Sequence, residues 1–265
     1  MTKERGYPGA KSGSGVYQRI ISQMPPHEVY VEPFLGGGSV MRHKRPARFN
    51  LGIDMDGEVV QRASTLASAG EWISWPYDAL AEYPADSVSW EWLNVDAVHW
   101  LATWRVPPST VVYCDPPYLR STRSCQRRMY RCELEAVRHE ALLRILVRLP
   151  CFVLLSGYPS EMYNLALSSW RVLRYPVMTR GGSLRTECLW LNYPEPTALH
   201  DYRYLGAGFR ERERIRRKSA RWVARLSGMA VLERRAVESA LLTVRARESA
   251  SQEGQGSTIL RPQVI

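Results

Sequence analysis

Thr110-Val111-Val112-Tyr113-Cys114-Asp115-Pro116-Pro117-Tyr118 is the stretch on which the fold turns. Its first five residues are β-branched, aromatic or apolar with no polar alternation, the pattern of a strand covered on both faces. Asp115 and two prolines then stop it abruptly, because proline neither donates to a ladder nor lets its predecessor continue freely. A strand of this kind needs layers on either side, and the expected class is α/β.

Working outward, the same arrangement of apolar run and polar stop recurs. Val29-Tyr30-Val31 ends at Glu32-Pro33 and enters Gly36-Gly37-Gly38, after which Ser39-Val40-Met41 starts a helix. Phe49 to Ile53 ends at Asp54. Val88, Trp90 and Trp92 alternate with Ser89 and Glu91, and that run closes at Asp96. Further on, Val137, Ala141, Leu142, Ile145 and Leu146 fall at helical spacing, with His139 expected on the helix surface. Phe152 to Ser156 reads as another buried strand. Val172 to Met178 and Glu187 to Asn192 read as two closing strands joined at Gly181-Gly182. Val16 to Met24 predicts a short helix stopped by Pro25-Pro26. Strands separated by helices predict a Rossmann-like, doubly wound, mostly parallel sheet. Ligands of such sheets bind at the carboxyl ends of the strands, where all the polar clusters fall.

A boundary is expected near Tyr193-Pro194-Glu195-Pro196, giving a principal domain over 1–196. Beyond it, 203–247 reads as a basic helical extension, with Ile215, Trp222, Leu226 and Met229 as one apolar stripe and Leu232 to Val244 as a second helix. Residues 248–265 are Ser/Gln/Gly-rich and expected to be disordered. The net charge of +10 is concentrated: Arg203 to Arg247 holds thirteen Lys/Arg against four Asp/Glu, which points to a polyanion partner. No apolar run is long enough for a membrane span, and the residues from Met1 to Gly6 lack the apolar core of a secretory signal. Five cysteines without a CxxC pair argue against a disulfide framework and against a metal site, and a cytoplasmic setting is expected.

The Asp115–Tyr118 loop suits one chemistry in particular. An adenine-type exocyclic amino group is a poor nucleophile, because its lone pair is delocalised into the ring. Asp115 and the Pro116 carbonyl supply two hydrogen-bond acceptors for it, and Pro116 and Pro117 hold them in place beforehand. Tyr118 offers a flat face for an extruded base. Glu32-Pro33-Phe34-Leu35-Gly36-Gly37-Gly38-Ser39 is a glycine turn that lets backbone approach a nucleotide-like ligand. Asp54 follows Gly36 at the spacing of an acid that binds ribose hydroxyls, with Asp56 as the competing choice. Lys11, in Tyr7-Pro8-Gly9-Ala10-Lys11, is placed to reach a ligand carboxylate.

Taken in order, Tyr-x-Gly-x-Lys, Glu-Pro-Phe-x-Gly-x-Gly-Ser, Asp54, Asp96 and Asp-Pro-Pro-Tyr resemble the Dam-type (alpha-class) adenine-N6 DNA methyltransferases, especially their compact phage and prophage members. Leu155-Ser156-Gly157-Tyr158 and Arg185 to Asn192 add to the likeness, which covers roughly residues 7 to 196. The resemblance implies S-adenosylmethionine as methyl donor, double-stranded DNA with a flipped adenine as substrate, and no metal. It implies that Tyr7, Lys11, Pro33, Phe34, Gly36, Gly38, Asp54, Asp96 and Asp115 surround the cofactor, and that Asp115, Pro116, Pro117 and Tyr118 act on the target. Longer relatives insert a target-recognition segment before the catalytic loop, for which 57–87 is too short. DNA contacts are therefore expected from Arg120, Arg123, Arg127, Arg128 and Arg131, or from Arg216, Arg217 and Lys218 in the extension. Cytosine-N4 enzymes usually carry Ser where Asp115 stands. The alternatives are an RNA adenine methyltransferase and a nucleic-acid-binding protein with an inert methyltransferase fold.

Overall fold

The protein is described by a computed structural model covering residues 11, 13, 15–72, 88–123, 127–178 and 182–253, with side chains described to 247. Tyr7, Cys125, Gly181 and the segment 254–265 lie outside the described residues. The chain divides into two compact units, one running to Tyr202 and the other starting at Arg203.

The first unit is a seven-stranded sheet in the order β3-β2-β1-β4-β5-β7-β6. Its strands are β1 (Val29–Glu32), β2 (Phe49–Asp54), β3 (Ser89–Asn94), β4 (Thr110–Cys114), β5 (Phe152–Gly157), β6 (Arg171–Met178) and β7 (Leu184–Leu191). β1 to β5 are mutually parallel, as expected from their apolar runs. β7 runs antiparallel to both β5 and β6, in register Leu155 with Trp190 and Tyr175 with Glu187. Every residue of β4 is buried, whereas β3 at the edge alternates between exposed and covered, as its Trp/Glu alternation predicts.

The helices are α1 (Val16–Ile21), α2 (Ser39–His43), α3 (Gly57–Ser68), α4 (Ala97–Thr103), α5 (Ala136–Leu146) and α6 (Glu161–Ala166). Leu142, Leu143 and Leu146 of α5 pack with Val98 and Leu101 of α4 and with Val112 and Val153 of the sheet. His139 belongs to this buried face rather than to the surface of α5. It is fully buried, its Nδ1 is 2.8 Å from the Tyr163 hydroxyl, and burial lowers its pKa to about 4. The reason is geometric: one turn separates positions 139, 142, 143 and 146, so the apolar stripe takes the histidine with it.

Near the amino ends of β1 and β2, the rings of His27 and His200 stack with centroids 3.8 Å apart. His200 Nε2 lies 3.1 Å from the carbonyls of Arg45 and Pro46, and burial with the charges of Lys44 and Arg45 brings its pKa down to about 3.

The second unit holds α7 (Phe209–Ser227) and α8 (Val231–Glu253). Both expected helices form, but α8 continues past Glu248, where the composition suggested a disordered tail. No residue of α7 is buried, and Trp222 is 47% exposed.

Candidate active site

Strand order reverses between β1 and β4, and the carboxyl ends of β1 to β4 there border a cleft whose empty space, open solvent included, is about 780 Å³. Phe34 and Gly36 to Gly38 enter it from the turn after β1, Asp54 from the last position of β2, Asp96 after β3, and Asp115 and Pro117 after β4. Lys11 reaches the same cleft from the amino-terminal segment. Of the remaining expected residues, Pro33 and Pro116 are buried beside their turns and do not line the wall.

The glycine turn is held from both sides. Gly36 and Gly38 have φ of +49° and +60°, and a Cβ on Gly38 would stand 2.5 Å from the Trp72 ring. Glycine is therefore required sterically as well as conformationally. Asp54 ties this turn to β2: its Oδ2 accepts from the Gly36 amide at 2.9 Å and its Oδ1 from the Asp56 amide at 2.9 Å. Burial raises the Asp54 pKa against those two bonds. Asp56 has a different task. It caps α3 by accepting from the Glu58 amide at 3.1 Å, and it does not line the cleft. Asp96 caps α4 in the same way, through the amides of Val98 and His99, and its second oxygen pairs with Arg138.

At the loop after β4, four side chains form one network. Lys11 Nζ lies 2.8 Å from Asp115 Oδ1 and 3.2 Å from Glu187 Oε1, and it donates to the Tyr118 hydroxyl at 2.6 Å. That hydroxyl in turn donates to Glu187 Oε1 at 2.9 Å. Burial alone would lower the Lys11 pKa, but the two carboxylates more than offset it and the net shift is upward. Asp115 is raised by burial, with Lys11 pulling the other way and Glu187 adding to the rise. Tyr118 also meets Tyr158 edge to face at 4.7 Å, and Arg185 lies 4.9 Å over the Tyr158 ring. Lys11 thus contacts the Asp115 loop directly and also lines the cleft.

The far wall of the cleft comes from Tyr130, Cys132, Glu133 and Leu134. Arg123, expected to face DNA, supports that wall instead. It is buried, forks onto both oxygens of Glu133 at 3.0 and 2.7 Å, and donates through Nε to the Tyr118 carbonyl at 2.6 Å. Burial opposes ionisation of Glu133, yet Arg123 and the amides of Met129 and Tyr130 bring its pKa down to about 2. Arg131 is exposed and paired with Asp56 and Glu58, and Arg128 donates to the carbonyls of Tyr130 and Arg131. Arg120 and Arg127 are exposed. In α7, Arg216 forks onto Glu213 at 3.0 and 2.8 Å, Arg217 approaches the same acid at 4.0 Å, and Lys218 is exposed.

Two buried acids of this site have no role assigned from sequence. Glu32, at the end of β1, accepts from the Tyr30 hydroxyl at 2.9 Å and the Met41 amide at 3.1 Å, and burial raises its pKa to about 8. Glu187 is 4% exposed on β7. Its signal was a lone acid opening the apolar run Cys188 to Leu191, since a carboxylate entering a buried strand requires a cationic partner. Among the described residues no cluster of His, Cys, Asp and Glu is placed to hold a metal ion, and no helix is long and apolar enough to cross a membrane.

No protein-family model and no curated protein matches the chain. Solved structures do. Precorrin-8W decarboxylase from Methanobacterium thermoautotrophicum aligns at 16% identity over 70% of this chain and 92% of its own, with a TM-score of 0.40. A SAM-dependent methyltransferase from Methanosarcina mazei aligns at 8% identity over 65% and 95%, TM-score 0.42. Magnesium protoporphyrin IX methyltransferase from Synechocystis PCC 6803 with bound SAM aligns at 15% over 66% and 75%, TM-score 0.36.

Proposed function

We propose that this chain is an S-adenosylmethionine-dependent methyltransferase acting on the N6 amino group of adenine in DNA. The observation that carries the reading is the convergence of the glycine turn, Asp54, Asp96 and the Asp115 loop on one cleft. Its lining fits the cofactor: among the described residues Lys11 pairs with Asp115, Arg138 with Asp96 and Arg123 with Glu133, and burial raises the Glu32 pKa to about 8, which leaves Asp54 as the lining carboxylate without a cationic partner, available to a polar ligand. The turn around Gly36 and Gly38 leaves room for close approach, and Asp54, rather than Asp56, lines the cleft. When bound there, S-adenosylmethionine supplies a methyl group activated by its sulfonium charge.

The side chains of this protein do the rest. Asp115 accepts a hydrogen bond from the amino group, which frees its lone pair from the ring. Burial raises the pKa of that carboxylate, and Lys11 works against the rise. Lys11 and Glu187 hold the Tyr118 hydroxyl from two sides, which fixes the ring as a stacking surface before the base arrives. Arg123 holds the backbone of Tyr118 from behind. A cytosine-type or RNA-directed enzyme remains the competing class on chemistry, and the product decides between them. Duplex DNA and an RNA of matching sequence are incubated with methyl-labelled cofactor and digested to nucleosides. N6-methyladenine from the DNA is expected; label confined to the RNA, or to cytosine, overturns the reading.

A further inference from the structure

The geometry points to a second site on the separate helical unit: one face of α7 is a rail for the sugar-phosphate backbone of duplex DNA. At 100° per residue, Arg210, Arg214, Arg217, Lys218, Arg221 and Arg225 fall within an arc of about 100°, and over about 22 Å of helix. All six are exposed, and Arg210, Arg214, Arg217 and Arg221 share one shallow groove with Phe209 and Glu213. The cations are poorly compensated. The acids of α7 are Glu211 and Glu213, which flank the arc in its first turns, and no acid occurs from Arg214 to Leu232. Glu211 lies 3.6 Å from Arg214 and Glu213 lies 4.0 Å from Arg217. Among the described residues Arg210, Lys218, Arg221 and Arg225 make no ion pair.

Like charges three and four residues apart repel and weaken the helix that carries them. A polyanion laid along the face reverses that penalty. Arginine forms five of the six positions, and its fork matches phosphate. Successive positions four apart rise about 6 Å, close enough for neighbouring side chains to take successive phosphates of one strand. Arg216 and Arg212 are off the arc, and the Arg216–Glu213 fork leaves Arg216 engaged. The site therefore differs from the run Arg216-Arg217-Lys218 that the sequence singles out.

An anionic lipid surface is the other polyanion for an amphipathic helix. Ile215, Val223 and Leu226 do lie away from the cations, but Arg212 and Ser219 interrupt them, and Trp222 borders the cationic arc with the Arg225 guanidinium 5.5 Å over its ring. The cationic face instead runs the whole length of α7. The choice of DNA over RNA rests on the adenine reading given above, whereas the rail itself does not require methyl transfer.

The test uses the full chain without cofactor and a duplex of G·C pairs only, so that no target base contributes. One variant carries Arg210→Gln, Lys218→Gln, Arg221→Gln and Arg225→Gln. A control of equal charge carries Arg212→Gln, Arg216→Gln, Arg234→Gln and Arg235→Gln. Affinity is measured across a salt series, with helix content checked by circular dichroism. The rail variant should lose about 0.9 of salt slope per phosphate contact removed, and at least tenfold in affinity, while the control stays near the parent. Equal behaviour of the two variants overturns the rail. So does a loss seen only with an RNA duplex, or only with phosphatidylserine vesicles. Absence of N6-methyladenine in the separate activity assay would strike the adenine reading and leave this result standing.

Discussion

Lys11 and Glu187, contributed by opposite ends of the first unit's sequence, hold their charged groups 3.2 Å apart beneath the Asp115 loop. The pair closes a ring through the Tyr118 hydroxyl, so the position of the proposed stacking surface depends on a strand that no catalytic motif marks. Glu187→Gln should lower kcat by on the order of 10²-fold through loss of alignment. It should also move the acid limb of the pH–rate profile to lower pH. Glu187 is one of the charges raising the Asp115 pKa, and its removal leaves Lys11 to act on Asp115 alone. A drop in activity with an unmoved profile would reduce Glu187 to a structural part.

Asp115→Ala removes the acceptor itself. A loss of about 10²–10³-fold in methyl transfer is expected, with the fold retained. Single-turnover assays with labelled cofactor measure it, and near-parental turnover by the folded variant would exclude the proposed role.

Gly38→Ala tests the turn. The new Cβ meets the Trp72 ring at 2.5 Å in a left-handed backbone, so a loss of about 1–3 kcal/mol of stability is expected. Asp54→Ala acts on the same turn from the other side and should weaken cofactor binding by roughly 1.5–3 kcal/mol. Calorimetry on both variants separates the effects, and unchanged affinity in Asp54→Ala would remove Asp54 from the ligand's contacts.

Arg123→Met leaves Glu133 without its fork in a mostly buried place. The expected loss is about 3 kcal/mol in denaturant unfolding, with no change in the salt slope of DNA binding. A reduced slope at intact stability would return Arg123 to the phosphate-contacting group.

Stability should fall in acid. His200 has a folded pKa of about 3, below the ordinary histidine value, so the unfolded chain binds the extra proton first as pH drops. Its contribution is complete above pH ~6.5 and declines by up to ~1.4 kcal/mol per pH unit below it, until about pH 3. His27, lowered by burial and by His200, adds in the same direction. Urea unfolding at pH 7 and pH 5 measures the change; equal midpoints would contradict it.

The sheet was readable from sequence because parallel strands covered on both faces leave uninterrupted apolar runs, as in Thr110 to Cys114. The short helices α4 and α6 left a weaker trace, being only about two turns long. The cleft was readable because its polar residues sit at strand ends, where the run stops. Roles set by three-dimensional pairing were not. Arg123 and Arg120 look alike in a basic loop, and only the placement of Glu133 separates them. Asp54 and Asp56 differ by two positions, yet one ties a glycine turn and the other caps a helix. His139 was expected on the surface of its helix, while its helical phase put it inward.

β7 follows β6 in the chain but inserts between β5 and β6, which gives the protein a timetable. While the ribosome has made only the residues up to Met178, the free edge of β5 has no partner and Glu187 does not yet exist. Pairing of Leu154 to Gly157 with β7 covers that edge and delivers the carboxylate in the same event. The nascent chain is thus sticky and unfinished over the same interval. Methyl transfer by this route would begin only after the last strand has emerged, and a chain cut short before it would be both inactive and prone to edge-to-edge association.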